Sequence, residues 1–314
     1  MIMQIITGSK EPVTRIYPHN KGEIRMSDQN KEIKMNLIEL GLGGGKLLQV
    51  ANRSHIQSML YLIETPNGKT ILIDSGNYKK DEDGKHLYEL IKQRGGKVDA
   101  WIITHAHDDH FGGLLWILEN VENPQLEIGA LYFNFPPIDW VGTIDPRMRK
   151  YVEKFYVSIE QNGITPKTME KGHVISVDGI SVEVLNDLEG YENYTNINDT
   201  TIALLVHFPK RKVLFLGDLD VEGGKNLLSV CPHEKLRQDI VQMAHHGQNG
   251  ADKEFYTHVM PKICLYCAPD WLWENDNGGG RDSGPWKTLE TRAWMEELGA
   301  LASFPHAYGD YLFW

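Results

Sequence analysis

Apolar positions along this chain gather into short runs closed by polar or turn residues. Val98-Asp99-Ala100-Trp101-Ile102-Ile103 is one such run, Lys212-Val213-Leu214-Phe215-Leu216 a second, and Lys262-Ile263-Cys264-Leu265-Tyr266-Cys267-Ala268 a third. Runs of this length with little alternation read as buried strands. Residues 58–64 and 69–73 flank Thr65-Pro66-Asn67-Gly68, and Asn-Gly between apolar runs is a strong hairpin signal. Further strands are expected at 36–42, 181–186, 201–207 and 311–314. The strands 201–207 and 212–216 form a hairpin across Pro209-Lys210-Arg211. Helices are expected near 85–94, 146–161 and 287–298. Two halves, each with strands before helices and no linker between them, predict an α/β fold of four αββα layers. One domain is expected at 36–314, and the polar residues 1–35 read as an N-terminal extension or edge strand.

Composition narrows the function. The formal charge of −11 argues against a broad phosphate-binding surface and hence against an extended nucleic-acid partner. No apolar span is long enough for a membrane helix. The first ten residues lack the basic start and apolar stretch of a secretory signal. Three cysteines in 314 residues fit a reducing compartment, so the expected location is cytoplasmic. Cys264 and Cys267 have redox or zinc spacing, but they lie within an apolar run and have no second pair, so they read as core residues.

The chemistry concentrates in Thr104-His105-Ala106-His107-Asp108-Asp109-His110. It follows a buried strand and precedes a turn that opens a helix, the usual address of a site in an open α/β sheet. His105, His107, Asp109 and His110 each suit a borderline divalent metal. Their alternation suits two ions, with His105 and His107 facing one, Asp109 and His110 the other. Two more strands end in candidate ligands, Gly217-Asp218 and His245-His246-Gly247. Asp218 is expected to bridge the ions rather than to cap the helix beginning near Val221. Neighbouring side chains diverge on an extended backbone. His245 is therefore the expected ligand, with His246 facing substrate, where it could protonate a leaving alkoxide. Asp74, which also ends a strand, is expected to support a motif histidine.

The order Asp74, His105-x-His107-x-Asp109-His110, Asp218, His245 resembles the metallo-β-lactamase superfamily over roughly residues 36–250. Within it, Asn198-Asp199-Thr200-Thr201-Ile202-Ala203-Leu204 and His245-His246-Gly247 are similar to the metallohydrolase domain of competence (DNA-internalisation) proteins. The resemblance implies an αββα sandwich of the metallo-β-lactamase type with a metal site along one edge. Three features depart from it. Many members have a His before the Gly-Asp strand as a third ligand to the first metal, where this chain has Asn196, Asn198 and Asp199. That first site is expected to bind more weakly, completed by water or an Asn oxygen. Gln248 stands where the competence-type pattern has Ser, and Ser283-Gly284-Pro285-Trp286 lacks a His found there. The Trp-rich stretch 271–281 reads as a lid, and Asn198, Trp273 and His306 are expected at the substrate.

The implied cofactors are two divalent ions, zinc first, with manganese or iron as alternatives. Two such ions can bridge a water and lower its pKa towards neutrality. The expected activity is hydrolysis of a small phosphodiester or related ester, with Asp109, His246 and Asp74 in the catalytic machinery. A lactone, lactam or thioester hydrolase and a non-catalytic metal-binding module are the alternatives. Flavodiiron proteins of this fold carry Glu where His107 stands, which argues against redox chemistry.

Overall fold

The computed structural model describes residues 34–314. The expected extension over 1–35 lies almost wholly outside the described residues. At its end, Met35–Ile38 is an edge strand that pairs in parallel with Asp310–Phe313.

Two seven-stranded sheets face each other. The first runs, in spatial order, Met35–Ile38, Asp310–Phe313, Lys46–Gln49, Leu60–Glu64, Thr70–Asp74, Ala100–Ile103, Leu131–Phe133. The second runs Ala302–Pro305, Ile263–Tyr266, Ile240–Gln242, Lys212–Phe215, Leu204–His207, Ile180–Val184, Val174–Val177. Each central strand is apolar on both faces. Ile71, Ile73 and Ile102 point between the sheets, while Leu72, Trp101 and Ile103 point outward. In the second sheet Val213 and Phe215 point inward and Leu214 outward. Helices Asp81–Lys92, Gly112–Asn120 and Pro146–Gln161 cover the outer face of the first sheet through Leu87, Leu114 and Val152. Val221–Val230, Lys253–Val259 and Thr288–Glu297 cover the second through Leu227, Phe255 and Met295. Helix, sheet, sheet and helix are the four layers expected from the alternation of elements.

The differences from expectation are local. The helix expected near 85–94 starts at Asp81, where three acidic residues in its first turn complement the N-terminal dipole. Lys46–Gln49, Leu131–Phe133 and Ala302–Pro305 are short strands whose own patterns are weak, and pairing with their neighbours recruits them. The strand expected at 36–42 ends at Ile38, shortly before the left-handed Gly41. Cys231, Cys264 and Cys267 are buried and unpaired. No helix among the described residues is long and apolar enough to cross a membrane.

Four strands matter most. Thr70–Asp74 and Ala100–Ile103 are parallel neighbours in one sheet, and Lys212–Phe215 and Ile240–Gln242 are parallel neighbours in the other. Their carboxyl ends open onto one edge of the sandwich, where the chain leaves each strand in a ligand-rich turn.

Candidate metal centre

The turns at that edge are drawn together by close backbone contact. Ser75 N donates to His110 O at 2.6 Å, and Ser75 Oγ accepts from Leu114 N at 3.1 Å. Gly113 makes this approach possible, since a Cβ there would sit 1.9 Å from Ser75 O. From the other sheet, the Gln242 side chain fixes the Gly-Asp turn. Its Oε1 accepts from Leu216 N at 2.8 Å and Gly217 N at 2.7 Å, and its Nε2 donates to Gly217 O at 3.0 Å. His245 N also donates to Gly217 O, at 2.9 Å, so the turns bearing Asp218 and the His pair move as one unit.

Asp218 Oδ2 lies at the middle of the site. His110 Nε2 is 3.2 Å away and His246 Nε2 3.3 Å, with His105 Nε2 and His245 Nε2 each at 4.0 Å. Asp109 Oδ2 is 3.3 Å from His246 Nε2. His105 Nε2 and His107 Nδ1 face each other at 3.1 Å. Asp109, His110, Asp218 and His246 form one group whose donor atoms all lie within 4.8 Å of one another, and His105, His107 and Asp218 form a second.

The far sides of the His110, His105 and His246 rings are anchored. Asp74 accepts from His110 Nδ1 at 2.8 Å. Thr104 Oγ1 donates to Asp74 at 3.0 Å, which leaves its oxygen to accept from His105 Nδ1 at 3.1 Å. His246 Nδ1 donates to Cys267 O at 2.9 Å. Each anchored Nδ1–H turns Nε2 inward, where its lone pair serves a metal ion once any proton on it has left.

The residues fit metal ions. His110 Nε2, His246 Nε2 and Asp218 Oδ1 are buried with no hydrogen bond of acceptable geometry. Buried polar atoms left without partners are rare and call for an explanation. Facing imidazole nitrogens and clustered carboxylates are what a missing cation would reconcile.

The electrostatics agree. Burial opposes charge on His110, but the Asp218, Asp74 and Asp109 carboxylates outweigh it and hold the ring well above its usual range. Burial likewise opposes charge on His246, and Asp218 and Asp109 lift it to about 9. Burial takes His107 down to about 4 and His105 well below its normal value, so both are neutral donors. Burial raises the Asp74 carboxyl, and the His110 charge opposes that rise. In the metal-free protein His110 and His246 therefore hold protons at pH 7.5, and metal uptake must displace them. Calorimetric titration with zinc in buffers of different ionisation enthalpy is expected to show release of about two protons per chain. A release near zero would contradict this charge state.

Several residues sit differently from expectation. His245, not His246, was the expected ligand beside Asp109 and His110. The structure brings His246 into that group and leaves His245 at its partly exposed margin. The argument from an extended backbone fails because both residues are left-handed, with φ of 50° and 56°. His246 Nε2 faces Asp109 and Asp218, each at 3.3 Å. Trp273, expected at the substrate, is buried beneath Arg292, whose guanidinium lies 3.7 Å from the ring centroid. His306 is also buried, with neither ring nitrogen hydrogen-bonded. Asn198 is buried with Nδ2 3.2 Å from His245 Nε2. The alternative role weighed for Asp218, capping the next helix, falls to Asp220, which accepts from Val221 N.

Two useful residues went unread in the sequence. Gln242 lies inside an apolar strand, where a buried amide signals a backbone clamp. Lys79 stands just before the acidic run Asp81-Glu82-Asp83, yet its Nζ lies 3.0 Å from Asp108 Oδ2 on the motif loop. Trp271 and Trp286 meet at a tilt of 59° with ring centroids 4.7 Å apart, Trp271 Nε1 donates to His55 O, and Gln248 Nε2 donates to Gln57 Oε1.

The sequence profile of the metallo-β-lactamase superfamily matches residues 55–254. Ribonuclease J of Helicobacter pylori is 24% identical over 251 residues, which cover 77% of this chain and 31% of that protein. The chain thus spans about a third of the length of that relative. A UPF0173 metal-dependent hydrolase of Thermodesulfovibrio yellowstonii is 44% identical over 59 residues, 18% of this chain and 20% of that one. Among solved structures, the metallo-β-lactamase fold protein YhfI of Bacillus subtilis superposes with a TM-score of 0.50 at 12% identity, covering 85% of this chain and 98% of that one.

Proposed function

The chain belongs to the metallo-β-lactamase superfamily and has the metal-dependent hydrolase centre of that fold; from that premise we propose that it hydrolyses a small phosphodiester or related ester with two divalent ions. Zinc is the first candidate metal. His105, His107 and Asp218 would hold one ion, and Asp109, His110, Asp218 and His246 the other. The observation that carries this reading is the pair of donor groups sharing Asp218, with inward nitrogen and oxygen atoms left unpartnered. Ions bound there supply Lewis acidity and a water acidic enough to attack near neutral pH.

The chain's own residues do the positioning. Asp74 holds the His110 ring directly and the His105 ring through Thr104. Gln242 fixes the turn that carries Asp218. Lys79, half exposed beside the motif loop, offers a cation to an anionic ester. The Trp271–Trp286 pair gives the rim an apolar face suited to a compact substrate. The kinship with competence-type domains, drawn from Asn198 to Leu204 and His245 to Gly247, belongs to this proposal, as does a cytoplasmic location.

A second reading, an RNA substrate, is favoured by the similarity to ribonuclease J. A net charge of −11 opposes it, since polyanion binding draws on many cationic contacts. The test compares turnover of bis(4-nitrophenyl) phosphate, a lactone, a β-lactam and single-stranded RNA at low salt. Fastest turnover of the small phosphodiester, with little salt dependence, is the expected result. Faster RNA cleavage that slows steeply with salt would transfer the assignment to the second reading.

A further inference from the structure

We propose that His245 supplies the third protein ligand of the first metal position, so that the tandem His245-His246 serves both ions. The inference rests on the two-metal reading above and assigns a residue that neither donor group contains. The starting point is backbone conformation. His245 (φ 50°, ψ 51°) and His246 (φ 56°, ψ 13°) are consecutive left-handed residues without being glycine. Such residues are uncommon singly and cost free energy to hold, and they cluster at functional sites. On this backbone the two rings part, with centroids 6.2 Å apart and planes tilted by 59°. His246 turns inward to Cys267 O. His245 keeps its Nε2 4.0 Å from Asp218 Oδ2.

Its geometry there matches that of the inward histidines. His245 Nδ1 lies 3.3 Å from the Asn249 carbonyl oxygen, so that nitrogen donates and Nε2 carries the lone pair. Nε2 is 4.0 Å from Asp218 Oδ2, the same separation as His105 Nε2. The ring is the least buried of those around Asp218, consistent with a position at the substrate side. The segment before the Gly-Asp strand offers Asn198 rather than a histidine, and Asn198 Nδ2 donates to His245 Nε2 at 3.2 Å, a bond that an ion at Nε2 would displace. Asn198 thus lies against the ring, and His245 fills the place from the opposite strand end. Gly247 lets the pair turn so sharply: its φ is +82°, and a Cβ there would meet the Tyr266 ring at 2.2 Å.

The test is cobalt(II) titration of metal-free protein, read by equilibrium dialysis and by the visible spectrum of bound cobalt. His245→Gly is the informative variant, because glycine accepts the left-handed backbone. His245→Asn is the second variant if that one melts early, since asparagine also tolerates this region. Wild type is expected to bind two ions. Both variants are expected to keep one ion at wild-type affinity and bind the other at least about 100-fold more weakly, beyond the loss from outer-shell partners. Asn198→Ala is expected to weaken the same ion by about 10-fold only. Two ions at wild-type affinity in the His245 variants would overturn the proposal. So would loss of an ion in Asn198→Ala without loss in the His245 variants. Wild type binding fewer than two ions would overturn both this inference and the two-metal reading, and that result appears before any variant is compared.

Discussion

Asp218→Asn is expected to abolish turnover, lowering kcat/KM on the order of 10³-fold or more, well past the 10–100-fold that outer-shell partners cause. Asp218 is shared by both donor groups, and its Oδ2 lies within 4.0 Å of four imidazole nitrogens. Asn keeps the shape and the turn, which Gln242 holds through the Leu216 and Gly217 backbone. It removes the charge that faces His110 and His246. Metal analysis of the purified variant is therefore expected to find both ions depleted while circular dichroism matches wild type. Near-wild-type turnover with two bound ions would show that Asp218 is not shared.

Asp74→Asn is expected to act one step further out. Asp74 is fully buried and holds His110 directly at 2.8 Å, and Thr104 through both its hydroxyl and its backbone N–H. A neutral amide cannot accept all of these bonds as a carboxylate does, because half of it is a donor. The expected cost is about 10–100-fold in metal affinity and in activity at limiting metal. Because Asp74 touches no inward atom, saturating metal should restore most of kcat. Activity measured against metal concentration separates the cases. A loss that persists at saturating metal, with affinity unchanged, would mean that Asp74 has a chemical role of its own.

These expectations show which parts of the molecule could be read in advance. Strands such as Ala100–Ile103 and Lys212–Phe215 were legible because burial on both faces demands unbroken apolar runs. The helix at Pro146–Gln161 was legible as a long helical stretch, and Asp145, which accepts from Arg147 N and Met148 N, caps it. Three-residue strands such as Leu131–Phe133 hold too little pattern to declare themselves, and only their neighbours make them strands. The ligand loop was legible because strand, ligands and helix are contiguous in the chain. The His245-His246 pair was not. Which ring turns inward depends on a left-handed backbone, and that follows from Gly247, the Gly217 carbonyl and Cys267 rather than from the pair itself. The burial of Trp273 and His306 was not legible for a related reason. Polar or aromatic identity gave no sign that the last helix and the C-terminal strands would bury them. Lys79 was obscured by the acidic run that follows it, although Asp81, Glu82 and Asp83 belong to a helix while Lys79 turns to Asp108.

The central claim is that one carboxylate, Asp218, joins two metal positions at the edge of the sandwich. Anomalous diffraction from zinc-loaded crystals, recorded on both sides of the zinc absorption edge, tests it most directly. The account predicts two peaks flanking Asp218, one among His105, His107 and His245 and the other among Asp109, His110 and His246. No peak, a single peak, or peaks away from Asp218 would contradict it.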